Sequence, residues 1–206
     1  MPPGAPKALL FDLGGVLVDI DFSRALRAWA PYSALPIEEL RARFRQDSAY
    51  EQHERGQIDA TEYFAHVAKT LELSATLEEI ERGWNSIFVS EIRETRALAE
   101  AQRKTLPCYV FTNTNHSHQS TWSRLYPGLV RAFDRIFASH ELGLRKPEAE
   151  AYTRVCQLTR TRPADILFFD DLPENVQAAK DSGLQAVLVR SPRDVRAALD
   201  QLRAAG

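Results

Sequence analysis

Residues 8–19 read ALLFDLGGVLVD, an apolar run that stops on Asp12 and resumes around a glycine pair before stopping again on Asp19. Four uninterrupted apolar residues ahead of an acid suit a strand buried on both faces that opens into a loop at its carboxyl end. Four further runs share this character: Cys108 to Phe111, Ile136 to Ala138, Ile166 to Phe169 and Ala186 to Val189. None alternates with polar residues, so together they predict a parallel sheet. Helical patterns lie between and after them, at Ile92 to Lys104, Glu148 to Leu158, Glu174 to Ser182 and Arg193 to Arg203. Pro147 and Pro173 suit first turns of helices, and Gly183 suits a helix end. Strands alternating with helices give an α/β fold with a doubly wound parallel sheet.

The rhythm breaks once. Between the first and second runs there is room for several helices, and no segment reads convincingly as a strand. Phe22 to Ala30, Ile37 to Phe44, Thr61 to Leu71 and Leu77 to Ile87 each carry apolar residues at three- and four-residue spacing, punctuated by Pro31, Pro36 and Gly56. Residues 20–90 are therefore expected to be an all-helical insertion, with 1–19 and 91–206 forming a discontinuous core domain. Trp29, Phe44, Tyr63, Phe64 and Trp84 fall at helical spacing within the insertion, where core packing is the expected use.

Composition sets the outer limits. The 206 residues are 44% hydrophobic and 26% charged, ordinary values for a globular chain. A net charge of -2 provides no basic field for nucleic acid or for an anionic membrane surface. The amino-terminal stretch lacks a secretory pattern and no segment is long and apolar enough to span a bilayer, so a cytoplasmic location is expected. Cys108 and Cys156 show neither metal-ligand spacing nor a disulfide framework and are expected to be buried free thiols.

In a doubly wound sheet, ligands bind beyond the carboxyl ends of the strands. The first run ends in Asp12, the second in Thr112 and Asn113, and the fourth in Asp170 and Asp171. Clustered carboxylates raise one another's pKa and oppose folding unless a cation joins them, so an oxygen-rich Mg²⁺ site is expected. A hard cation in turn suggests a phosphorylated substrate, which needs positive charge beside the nucleophile. Lys146 is the candidate, because Pro147 would open a helix directly after it; Arg145 competes for the role. His116 and His118 lack a third ligand and are expected in a solvent-facing loop.

The stretches FDLGGVLV, FTNT, RKPE and FFDD resemble, in order and over nearly the whole chain, the four signature motifs of the haloacid dehalogenase superfamily. The resemblance implies a Rossmann-like core with a helical cap between the first and second motifs, where the insertion lies. The longer stretches FDLGGVLVDIDFSRALRAW, HERGQI, LGLRKPEAEAY and FFDDLPENVQAAKDSG are similar to the family's bacterial α-D-glucose-1-phosphate phosphatase branch. The amino-terminal phosphatase domain of soluble epoxide hydrolase shares the TNT and DD forms. By motif, the resemblance implies that Asp12 attacks phosphorus, that Thr112 and the amide after it, at Asn113, hold the phosphoryl oxygens, and that Lys146 neutralises charge. It implies Mg²⁺ on Asp12, Asp171 and the Gly14 carbonyl, with Asp170 adjacent and Asn175 orienting the fourth-motif loop.

Gly14 departs from the family, most of whose phosphatases place a second aspartate there to protonate the leaving group. A small phosphorylated metabolite with a good leaving group, such as glucose 1-phosphate, fits that gap. Asp19, Asp21 and His116 are nearby polar residues, each expected to be solvated or structural. Two other readings stay open: a metal-free dehalogenase and a non-catalytic ligand-binding member of the family. The sequence carries no signal for oligomeric state.

Overall fold

The five apolar runs form one parallel sheet in the computed structural model, which describes residues 4–205. Residues 1–3 and 206 of the expected core domain lie outside the described residues. In chain order the strands are β1 (Ala8–Phe11), β2 (Val18–Ile20), β3 (Phe88–Glu91), β4 (Cys108–Thr112), β5 (Arg135–Ala138), β6 (Ile166–Asp170) and β7 (Gln185–Leu188). The sheet runs β5-β4-β1-β6-β7, so β1 is central, with Leu9 opposite Cys108 on one side and Leu167 on the other.

Alternation along the strands divides two apolar layers. Leu9, Phe11, Val110 and Phe169 pack with Ala99, Val195 and Leu199 from the helices Arg93–Gln102 and Pro192–Ala205. Ala8, Leu10, Phe111 and Phe168 face the other way, onto Tyr152, Val155 and Ala179 from the helices Ala149–Thr159 and Pro173–Asp181. The result is a three-layer α/β/α architecture, and the α/β expectation holds. Pro173 opens its helix, and Gly183 follows the helix end with a φ of +86°, as expected.

Between β2 and β3 lie the helices Ser23–Trp29, Ile37–Arg43, Ser48–Glu54, Ala60–Thr70 and Leu77–Trp84. Their aromatic residues form the core of this segment: Trp29 and Trp84 are fully buried and stack with ring centroids 6.5 Å apart. Burying a side chain of this size is worth roughly 2–3 kcal/mol. Gly83 makes the stack possible, because a Cβ there would lie 2.3 Å from Trp29 Nε1. That indole nitrogen instead donates to the Ile80 carbonyl at 3.0 Å.

Four expectations need correction. The insertion is not strand-free at its edges: β2 and β3 pair antiparallel into a two-stranded arm at its base. Three- and four-residue strands are too short to show a period. The helix Ser48–Glu54 was not expected, nor was His116–Leu125, whose buried face is made of Ser117, His118 and Trp122 rather than apolar residues alone. His118 is therefore buried in a helix instead of lying in a solvent-facing loop. Finally, Pro147 precedes its helix, which begins at Ala149 after Glu148. Both cysteines are free and buried, as expected. Among the described residues, no helix is long and apolar enough to cross a membrane.

Candidate active site

β4, β1 and β6 lie side by side in the middle of the sheet, so their carboxyl ends bring Thr112, Asp12 and Asp170 into one crevice. The Asp12 amide continues the sheet pairing by donating to the Phe169 carbonyl at 2.8 Å, which fixes the first loop against the fourth motif. A second tie crosses from β4. The Asn113 side chain accepts from the Lys146 amide and donates to the Lys146 carbonyl, both at 2.8 Å. These two bonds tie the Asn113 side chain to that backbone.

Lys146 is buried at 1% exposure, and its ammonium lies 2.7 Å from both Asp12 Oδ1 and Asp170 Oδ2. It also sits 5.4 Å from the ring centroids of Phe111 and Phe168. Burial disfavours the ammonium, but Asp12 and Asp170 outweigh it and hold the lysine above its ordinary value. Burial pushes the Asp12 carboxyl up, with Asp170 and Asp171 adding to the rise and Lys146 opposing it.

The adjacent acids Asp170 and Asp171 are held differently. Asp170 takes Lys146, the Leu172 amide at 2.9 Å, and Asn175 Nδ2 at 3.1 and 3.2 Å. Asn175 is itself held through its carbonyl by the Tyr152 hydroxyl at 2.9 Å. Among the described residues, the Asp171 carboxylate has its own backbone amide as its one hydrogen-bond partner, and burial followed by Asp170 raises its pKa. It reaches so far toward the first loop that a Cβ on Gly15 would lie 2.2 Å from Asp171 Oδ2. Gly15, at φ +70°, is thus needed for both its backbone conformation and its close approach.

One oxygen from each of Asp12, Asp170 and Asp171 lies within 4.8 Å of the others. Three clustered carboxylates against a single ammonium, which touches Asp12 and Asp170, leave two negative charges in excess, and the donors are all hard oxygens. That set fits a small divalent cation such as Mg²⁺.

A cavity of about 260 Å³ opens onto this cluster. The strand ends and their loops supply Asp12, Gly14, Thr112, Asn113 and Asp171, the loop before the helix Ala149–Thr159 supplies Lys146, the helix Pro173–Asp181 supplies Asn175, and Tyr50 and Glu54 enter from the helix Ser48–Glu54. Asp19, Asp21 and His116 are not among its lining residues. Asp19 accepts from Ser90, and Asp21 is taken by Ser23 and Arg27. His118 does line the cavity, but burial pushes its imidazole down to about 3 and both ring nitrogens are engaged, by Asn115 and the Trp84 carbonyl.

Sequence reasoning assigned no role to Tyr50 or Glu54, and set Arg145 aside as a competitor of Lys146. The available signal was HERGQI, which contains Glu54, together with the arginine of RKPE. In the fold, Arg145 Nε donates to Glu54 Oε2 at 2.8 Å, joining the two stretches.

An acid after the central strand, a buried lysine between two acids and an acid pair closing the FFDD stretch meet at the carboxyl edge of a Rossmann-like sheet. The chain belongs to the haloacid dehalogenase-like hydrolase family, whose sequence profile matches residues 6–183. Among its relatives, the D-ribitol-5-phosphate phosphatase of Bacteroides thetaiotaomicron is 25% identical over 92% of this chain and 95% of its own length. A phosphatase of Mycobacterium tuberculosis is 28% identical over 89% and 87%. A haloacid dehalogenase family enzyme from B. thetaiotaomicron, 25% identical, superposes with a TM-score of 0.82 over 91% of this chain and 95% of that one. That enzyme has also been solved in complex with magnesium and inorganic phosphate, a structure matching at 24% identity with a TM-score of 0.78 over 91% and 96%.

Proposed function

We propose that this phosphoric monoester hydrolase takes the phosphoryl group of a small sugar or polyol phosphate, α-D-glucose 1-phosphate being a candidate, onto Asp12. One Asp12 oxygen forms the new bond to phosphorus as the bond to the leaving alcohol breaks, and the alcohol oxygen gains a proton. Water then attacks the aspartyl phosphate, releasing inorganic phosphate and restoring Asp12. Thr112 and the Asn113 amide hold the phosphoryl oxygens. Lys146 positions Asp12 and offsets the negative charge gathered there. Asp12, Asp171 and the Gly14 carbonyl, with Asp170 beside them, would hold Mg²⁺, which when bound would supply Lewis-acid neutralisation of the phosphoryl oxygens. Asn175 fixes Asp170 in place. The helical segment, residues 20–90, serves as the cap over this site.

The observation that carries this reading is the contrast around Lys146: the ammonium is shared between Asp12 and Asp170, while Asp171 is left open toward the same point. A metal-free dehalogenase has no cation to hold and so no use for an open second acid. The relatives named as phosphatases support the reading, as does the magnesium and phosphate complex of the Bacteroides enzyme. Buried free thiols at Cys108 and Cys156 suit a reducing cytoplasm. The test is phosphate release from a panel containing both glucose 1-phosphate anomers and D-ribitol 5-phosphate, with and without Mg²⁺, beside a halide-release assay. Turnover that needs Mg²⁺ and releases phosphate is expected. Full activity in the chelated enzyme, or halide release instead, would remove the reading.

A further inference from the structure

Glu54 is a buried carboxylate that lines the cavity and that the chemistry above does not use. It stands at 4% exposure at the end of the helix Ser48–Glu54, with Tyr50, also on the cavity wall, one turn earlier. Arg145 Nε holds Glu54 Oε2 at 2.8 Å, while Arg145 Nη1 reaches Glu51 Oε1 at 3.2 Å. Arg55 joins Glu51 at 3.0 Å and Glu148 at 2.7 Å, extending the lattice to the other flank of the Lys146 loop. Two guanidinium groups against three carboxylates leave this network with one net negative charge. Of its three carboxylates, Glu54 is the one on the cavity wall, beside Arg145, whose guanidinium is committed to Glu54 and Glu51.

A buried carboxylate accepts hydrogen bonds and donates none once ionised, and leaving its lone pairs unmatched is costly. Arg145 occupies one of its oxygens. Burial pushes the Glu54 carboxyl up, but Arg145 opposes this and the Tyr50 hydroxyl lies against it. A ligand best suited to that wall brings O–H donors and no second negative charge.

We propose that Glu54, clamped by Arg145, is a specificity-determining residue that accepts hydrogen bonds from substrate hydroxyls and disfavours a second anionic group on the substrate. This rests on the phosphatase reading and narrows it to monophosphates whose remaining part is hydroxylated and uncharged. Like charge in a partly desolvated cavity repels strongly, and a site built to bond hydroxyls rejects analogues that leave its polar groups unpaired.

The experiment compares kcat/KM for glucose 1-phosphate against glucose 1,6-bisphosphate, and for glycerol 3-phosphate against 3-phosphoglycerate, with Mg²⁺ and with p-nitrophenyl phosphate as a hydroxyl-free reference. Each pair differs by one added anionic group. Wild type is expected to prefer the neutral member, and Glu54→Gln is expected to shrink that preference about tenfold, the scale of removing one nearby like charge. Glu54→Asp keeps the charge but withdraws the acceptor. It is expected to hold the preference while raising KM for the hydroxylated substrates relative to p-nitrophenyl phosphate.

A preference in Glu54→Gln within about twofold of wild type would overturn the proposal, since a merely structural Glu54, or one acting as a general proton donor, slows both members alike. If Glu54→Gln does not fold, Glu54→Asp decides: equal changes for hydroxylated substrates and p-nitrophenyl phosphate overturn the proposal. Wild-type protein that releases phosphate from none of these compounds instead defeats the phosphatase reading itself.

Discussion

The two walls of the cavity are built on opposite plans. On the strand-end wall polar side chains other than the open Asp171 are fixed by bonds to nearby backbone: Asp12 accepts from the Leu13 amide at 2.7 Å, and Asn113 brackets the Lys146 backbone. On the helical wall, packing does most of the holding. Trp84 lies within aromatic contact of Trp29, Phe44, Tyr50 and Tyr63, and Glu54 is secured by Arg145 from the opposite wall. Chemistry that needs sub-ångström placement sits where the sheet backbone dictates position, and selection sits where a side-chain change leaves the backbone alone.

The sharpest way to break this comparison is to replace Asp12, the proposed nucleophile. Asp12→Asn is expected to lower kcat by on the order of 10³-fold or more, because an amide cannot form the acyl phosphate. The fold should survive. Removing one of three clustered carboxylates relieves repulsion, so the chelated variant is expected to melt no lower than chelated wild type. Activity above a few per cent of wild type in scrupulously purified variant would place the nucleophile elsewhere.

Next in size is the loss of the cation. Mg²⁺ binds the native cluster and scarcely the unfolded chain, so a concentration near a hundred times Kd should add about 2.7 kcal/mol of stability. For a chain of this length that is a melting shift of several degrees. Asp171→Ala, which removes the acid left open, is expected to lose both this shift and the Mg²⁺-dependent turnover. A retained shift would move the metal onto Asp170 and recast the two adjacent acids.

On the helical wall the expected effects reverse, with stability moving and chemistry staying. Gly83→Ala would drive a Cβ to 2.3 Å from the Trp29 indole nitrogen and disturb its bond to Ile80. Overpacking of this kind costs about 1–3 kcal/mol. The melting temperature should fall accordingly, while turnover of p-nitrophenyl phosphate per folded molecule changes little. A loss of turnover that outruns the loss of stability would mean that the two walls are mechanically coupled.

The same division decided what the sequence revealed. Asp12, Thr112, Asp170 and Asp171 were legible because a strand buried on both faces shows as an unbroken apolar run, and the topology rule then picks out whatever ends it. The helix Ser48–Glu54 was not legible, because the face it buries is Tyr50, His53 and Glu54, which reads as polar. Ser117 and His118 hid His116–Leu125 in the same way, since their burial is matched by Asn85, Asn115 and the Trp84 carbonyl, partners that only the folded chain supplies. Periodicity finds surfaces buried by the hydrophobic effect and misses those buried by hydrogen bonds.

The smallest expected effect is the most discriminating, and it concerns Gly14 at the seam of the two walls. If the absence of a carboxyl there restricts the enzyme to good leaving groups, Gly14→Asp should help poor ones most. The position tolerates a side chain better than its neighbour. A Cβ on Gly14 would lie 3.0 Å from Ile20 Cδ1, the tip of a side chain that is 40% exposed and able to swing aside. On Gly15 it would meet Asp171 instead. A well-placed general acid is worth on the order of a hundredfold, but an introduced one is rarely well placed, so the gain should be smaller and its sign across substrates is the test. For wild type, kcat/KM should rise steeply as the leaving group improves along a series of aryl phosphates. In the variant the slope should flatten. If the new carboxylate only crowds the cavity, every substrate slows alike and Mg²⁺ affinity falls with them, which a metal titration exposes. Equal slopes with intact Mg²⁺ affinity would show that another group already delivers the proton. Glu54 would then be the first to examine, since it is a carboxylate on the cavity wall outside the three-acid cluster.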